Sequence, residues 1–474
     1  MQPRAVGPHP DRLFPAQPEV RDVARRLYAA TKDLPIISPH SHVPPQWLVD
    51  DEPFPDPASL LLVPDHYVLR MLHANGAELS DLGRGPDGPL PLDEAAARKA
   101  WRILCTNYHL FRGTPVQYWF DTTFAEVFGI TQAPSAETAD VIYDQVAAAL
   151  ATPEFRPRAL FQRFNISVLA TTDDPLDDLA AHRALAADPT FTGRVVPTFR
   201  PDRFLELGRA DWPELARRLG EVAGIDTGDY SGYVAALEAR RRYFVEHGAV
   251  SSDHSHADVG TEPLAPQEAA HIYAAALRGE ATTEETVAFR RHMMSETARM
   301  ATQDGLVMTL HPGVRRNHDP QNLVNYGADA GSDIPIAVEF TQALQPLLGR
   351  YGNHPNLHLV VFTIDETVYS RELAPMAGYY RSLYVGVPWW FIDAPEAIRR
   401  FRGAVTETAG FYRTSGFIDD TRAFMSIPTR HDMSRRLDAA YLAELVSQHR
   451  LTEEEAAATA RDLVVSIPAK VFKL

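Results

Sequence analysis

The stretch "LPIISPHSHVPP" sets two histidines, His40 and His42, one residue apart directly after a short apolar run. In an extended chain successive side chains alternate between faces, so both imidazoles project to the same side. Two neutral imidazoles joined by a carboxylate from elsewhere suit a divalent metal that keeps an open coordination position. The alternative is a pair of satisfied surface histidines in a proline-punctuated loop. A second His-x-His, His254 and His256 in "DHSHAD", shows that spacing alone does not decide. Position favours His40 and His42, because they follow the first apolar run while Asp420 stands just beyond the last.

Those runs are the elements that must carry such a site. They are "PIIS" at 35–38, "SVLA" at 167–170, "RVVPTF" at 194–199, "GAVSS" at 248–252, "LVMTL" at 306–310, "LHLVVFT" at 357–363, "SLYVGV" at 382–387 and "SGFI" at 415–418. Most are separated by amphipathic helical segments, the signature of parallel βαβ units in the α/β class. Eight strands close a (β/α)8 barrel; "SGFI" is the weakest of them, and a doubly wound open sheet is the alternative. At or beyond their ends stand His40 and His42; Thr171 to Asp174; Arg200 and Asp202; Asp253 and His254; His311; Asp365; Trp389 and Trp390; Asp420 and Arg422. In a barrel these ends meet on one face, where catalytic groups sit. Helix capping competes as an explanation for individual aspartates. The long interval of about 46–166, with patterns such as "HYVLRMLHANG" and "AETADVIYDQVAAAL", predicts a helical insertion after the first strand, and a second is expected near 203–247. Residues 1–33 read as an N-terminal extension with a helix, and 34–474 as the barrel domain.

Composition narrows the classes. The formal charge of -16 argues against a general nucleic-acid binder, and an anionic ligand must be met by local cations. Those are arginines, since the only lysines are Lys32, Lys99, Lys470 and Lys473, none placed to serve as a Schiff base or a bridging carbamate. The single cysteine, Cys105, reads as a buried structural thiol and fits a reducing compartment. No run reaches the length of a membrane span and the N-terminus lacks a leader-like apolar core, so the expectation is a cytoplasmic protein with no membrane partner.

The motifs "LPIISPHSH", "DHYVLRMLHANG", "GTPVQYWFDTTFAEVFGI", "VLATTDDPLDDL", "VVPTFRPD", "VSSDH", "TLHPGVRRN", "VPWWFID" and "GFIDDTRAFMSIPTRHD" occur in one order from about Leu34 to the C-terminus. In that order the chain resembles the uronate (glucuronate) isomerases of the amidohydrolase superfamily. The resemblance implies a distorted (β/α)8 barrel of TIM type with a helical insertion after the first strand. It also implies interconversion of D-glucuronate and D-fructuronate, and of D-galacturonate and D-tagaturonate, by proton transfer through an enediol. Carried over by motif, it assigns His40, His42 and Asp420 to a divalent metal, zinc first among candidates that include manganese, cobalt and iron. Asp420 also becomes the proton-transfer base, Tyr67 a proton or hydrogen-bond donor, and His311, Arg316 and Arg422 contacts to a small sugar-acid substrate; a homo-oligomer is compatible. Met433 and Ser434 depart from the aromatic character expected there, and His256 follows an Asp-His pair expected to meet glycine. The rival is a metal-dependent hydrolase or decarboxylase on the same scaffold.

Overall fold

The computed structural model describes residues 5–474, so the first four residues of the expected N-terminal extension lie outside it. Seven of the eight apolar runs form parallel strands: β1 (Ile36–Ser38), β2 (Ile166–Ala170), β3 (Arg194–Val196, resuming as Thr198–Phe199), β4 (Ser251–His254), β5 (Val307–Leu310), β6 (Leu359–Val361) and β7 (Leu383–Val385). Apart from the outer end of β3 and Ser167 they are buried, which is why they read as continuous apolar or small-residue runs rather than alternating ones. β1, β2 and the first part of β3 pair in one sheet, and the second part of β3 leads a second sheet through β4, β5, β6 and β7. Pro197, with no N–H to donate, separates the two parts of β3.

The eighth position is filled by an extended segment whose strand pairing, among the described residues, is a single parallel bridge from Thr414 to Val385. Ser415 donates its N–H to Val385 at 3.0 Å, Asp420 donates to the His40 carbonyl at 3.2 Å, and His42 donates to the Thr421 carbonyl at 3.0 Å. These bonds bring the chain from β7 back to β1 and close a distorted barrel. A regular strand fails here because Gly416 and Asp420 adopt positive φ, +73° and +41°, which turns the backbone out of the ladder. At Gly416 a Cβ would also meet Pro468 Cδ at 2.7 Å.

Between β1 and β2 the expected helices are present, among them Gln46–Asp50, Pro57–Leu61, His66–Ala74, Glu94–Thr106, Pro115–Thr122 and Ala139–Leu150. Aspartates start several of them: Asp56 accepts from Ser59 N–H, Asp65 from Tyr67 N–H and Asp93 from Ala96 N–H. Their apolar faces join in a core that includes Leu72, Trp101, Phe111, Phe124 and Val146. Cys105 belongs to it, and burial pushes its thiol well up, as expected of an inert packing residue. Helices Trp212–Ala223 and Tyr230–Glu246 occupy the second helical interval. The N-terminal helix Pro18–Ala29 packs on Ile427–Ser447, whose residues are buried along most of its length, Met433 and Ser434 included. Among the described residues no helix is long and apolar enough to cross a membrane.

Candidate active site and metal centre

A cavity of about 400 Å³ opens at the C-terminal ends of the strands. The chain leaving β1 brings His40 and His42 into it, and the eighth segment brings Asp420. His42 Nε2 lies 2.9 Å from Asp420 Oδ1 and His40 Nε2 lies 3.4 Å from the same oxygen. The positive φ of Asp420 aims the carboxylate at the pair; Asp tolerates this conformation better than most residues. Burial opposes the charged form of Asp420, yet the two imidazoles hold its carboxyl well below the usual range. Burial pushes His42 down to about 4, so its imidazole is neutral at neutral pH, the form that can ligate a metal. The three ligand atoms lie within 4.8 Å of one another. Two imidazoles and a carboxylate form the donor set of a three-protein-ligand divalent site, so these residues can hold a metal.

Beside this set, His311 stacks on His40 with ring centroids 4.6 Å apart and on Phe362 at 4.2 Å. Its Nδ1 lies 2.7 Å from Asp253 Oδ1, which also accepts from Thr309 Oγ at 2.7 Å. Despite burial, His311, His40 and Arg200 hold the Asp253 carboxyl well below its ordinary range. An ionised Asp253 accepts from Nδ1–H and leaves the Nε2 lone pair of His311 buried without a partner among the described residues. His311 can therefore orient a substrate or ligate a metal.

Tyr67 enters from the insertion on helix His66–Ala74, with its ring edge-on to Trp119 at 5.5 Å. The buried Arg430 guanidinium lies 3.7 Å from the Trp119 centroid and 5.2 Å from that of Tyr67, and pairs with Asp393 at 2.7 Å. Burial pushes the Tyr67 phenol far up, so it stays protonated and donates. Its neighbour His66 stacks on Trp390 at 4.9 Å and 5° and is pushed down to about 3 by burial and by Arg422. Trp390 has φ +50°, uncommon for so bulky a residue and a mark of strain held at a site. Arg316 lies 4.7 Å from the Trp390 ring centroid, pairs with Asp333 at 3.1 Å and donates to Ser255 Oγ at 3.1 Å. Arg422 pairs with Asp329 at 2.9 Å. Each arginine is thus held by an aspartate while keeping N–H groups for a ligand.

Every residue assigned to the site from sequence therefore lines this one cavity: His40, His42, Tyr67, His311, Arg316, Asp420 and Arg422. Others named at strand ends do different work. Asp173 accepts from Thr171 Oγ at 2.6 Å and from Thr198 N–H at 3.0 Å, tying β2 to β3. Asp174 pairs with Arg203, Asp365 caps the turn at Thr367, and Asp419 is buried against His431 at 3.1 Å. His66, Asp329, Asp333, Asp393 and Arg430 line or support the cavity and were not singled out; His66 had a signal, standing beside Tyr67 in "DHYVLRMLHANG".

The sequence profile of the glucuronate isomerases matches residues 19–472. The chain belongs to the glucuronate isomerase family. Among its relatives in that family, the uronate isomerase of Cutibacterium acnes is 56% identical over 464 residues, covering 98% of each chain. The crystal structure of glucuronate isomerase from Caulobacter crescentus matches with a TM-score of 0.96 at 46% identity, covering 99% of this chain and 98% of that one. The uronate isomerase of Thermotoga maritima matches at 0.91 and 26%, covering 98% and 99%. With such coverage the glucuronate isomerase likeness takes in the helical insertion as well as the barrel.

Proposed function

We propose that the protein interconverts D-glucuronate and D-fructuronate, and D-galacturonate and D-tagaturonate, in the cytoplasm, by proton transfer at the cavity described above. The observation that carries this reading is one carboxylate, Asp420, gathered with two imidazoles in a cavity that also holds two aspartate-backed arginines. Membership of the glucuronate isomerase family supports it. His40, His42 and Asp420 would hold a divalent metal, zinc being the first choice, which when bound supplies Lewis acidity and orients substrate hydroxyls.

The chain's own groups account for the remaining requirements. Aldose/ketose isomerisation takes a proton from C2, delivers one to C1 and shifts hydrogen between the two oxygens through an enediol. Asp420 is the base for the carbon-bound proton, and it is ionised at neutral pH. Tyr67, protonated and fixed by the Trp119 and Arg430 side chains, donates to the oxygen where charge develops. Arg316 and Arg422 offer planar forks for the distant carboxylate. His311 orients the sugar beside His40. A hydrolase of the binuclear type would need a bridging lysine on β4, where this chain has "SSDH".

Tyr67→Phe keeps the ring packing and removes the donor, so kcat is expected to fall about a hundredfold with little change in KM; an unchanged kcat contradicts the role. Arg316→Met and Arg422→Met each remove a charge-assisted contact, so kcat/KM on D-glucuronate is expected to drop roughly tenfold to a hundredfold, mostly through KM. If kcat falls instead while KM holds, the arginines are not ground-state anchors. Chromatography of metal-loaded protein with each aldouronate tests the function itself: ketouronate is expected from both, and a folded, loaded protein that converts neither overturns it.

A further inference from the structure

The second His-x-His is left unused by that reaction, and its surroundings are those of a ligand set. Asp202, just past β3, and His254 and His256, at and just past the end of β4, each present one ligand atom within 4.8 Å of the other two. His254 is 1% exposed, and among the described residues neither of its ring nitrogens has a hydrogen-bond partner. A buried imidazole with both nitrogens unsatisfied is costly, which points to a missing partner.

His256 is prepared in a complementary way. Its Nδ1 lies 2.7 Å from Glu206 Oε1, so with Nδ1–H donating to the carboxylate the Nε2 lone pair is left free. A carboxylate on the far nitrogen is the usual support for a metal-ligating imidazole. Nε2 is buried, has no hydrogen-bond partner among the described residues and stands 3.5 Å from Asp202 Oδ1. That separation is close to the edge of a tetrahedron of N and O ligands about 2.0–2.1 Å from zinc, which is roughly 3.3–3.4 Å. Asp202 is itself fixed: Ser255 N–H lies 3.2 Å from each carboxylate oxygen and Arg200 Nε is 2.9 Å from Oδ2. Of the nearby cations, Arg241 pairs with Asp304 at 2.6 Å and Arg290 with Asp258 at 2.5 Å, while Arg200 is shared between Asp202 and Asp253. Of the three, Asp202 lines the cavity.

We propose that Asp202, His254 and His256 form a second divalent-cation site of the zinc and cobalt class, made of residues distinct from His40, His42 and Asp420, which pins the end of β3 to the end of β4. The test is equilibrium dialysis of the chelator-stripped full chain against Co2+, with metal per chain measured by elemental analysis and the visible bands of tetrahedral cobalt as a second readout. Two equivalents are expected for the unaltered chain and one for the His40→Ala/His42→Ala variant. That remaining equivalent and its bands should be lost on adding His256→Gln, and bound at least tenfold more weakly on adding Asp202→Asn, which preserves shape if the glutamine variant does not fold. One equivalent in the unaltered chain and none in His40→Ala/His42→Ala overturns the site. So does a remaining equivalent that neither His256→Gln nor Asp202→Asn disturbs.

Discussion

Asp420→Asn is expected to lower kcat on D-glucuronate by about a thousandfold while KM moves by less than about tenfold. Asparagine has the size of aspartate and tolerates the φ of +41° at this position, so the close of the barrel against His40 and His42 should survive. Its side-chain oxygen can still face the two imidazoles. What disappears is the basic carboxylate that His40 and His42 keep ionised. Steady-state kinetics on a variant with measured metal content separates the two roles given to this residue. A variant that keeps its metal and turns over normally removes Asp420 from the chemistry, whereas one that loses both speaks first for ligation.

Arg402→Met is expected to destabilise the fold by about 3–5 kcal/mol, the cost of leaving a buried charge without its partner. Arg402 joins helix Pro395–Ala409 to Ile427–Ser447 through Asp438, with Nε at 2.6 Å from Oδ1 and Nη2 at 3.0 Å from Oδ2. Both side chains are almost fully buried. The cost therefore falls on the orphaned Asp438 rather than on the lost contact, and Arg402→Met/Asp438→Leu should melt closer to the unaltered protein than the single variant does. Thermal midpoints compared at one scan rate check this. A single variant that melts with the unaltered protein would mean that water reaches Asp438.

What could be read from sequence follows from how locally each feature is determined. Buried parallel strands demand apolar runs, so seven of them were legible as short apolar runs spaced by helical segments, and a residue just past a strand end is bound for one face of the barrel. His40, His42, His311, Asp420 and Arg422 all had that address. The eighth run was the weakest, and Gly416 and Asp420 show why: their left-handed backbone gives up strand pairing in order to aim Asp420. Tyr67 and Arg316 came from resemblance, since nothing in an amphipathic helix or a loop says that it will lie over the barrel mouth. His66 shares that difficulty. Arg430 and Asp393 are 37 residues apart, and the fold alone pairs them. Asp173 and Asp174 had the same strand-end address as Asp420, yet Asp173 binds β2 to β3 and Asp174 pairs with Arg203. A strand-end position is a necessary signal that does not separate chemistry from scaffolding.

Isotope exchange tests the central claim most directly. Purified, metal-analysed protein is incubated with D-glucuronate in D2O, then with D-galacturonate, and each mixture is followed by proton NMR. Proton transfer through an enediol by Asp420 predicts ketouronate with deuterium at C1 and, on reversal, aldouronate with deuterium at C2. Ketouronate formed with no solvent deuterium at either carbon would point to a hydride shift and contradict the role given to Asp420.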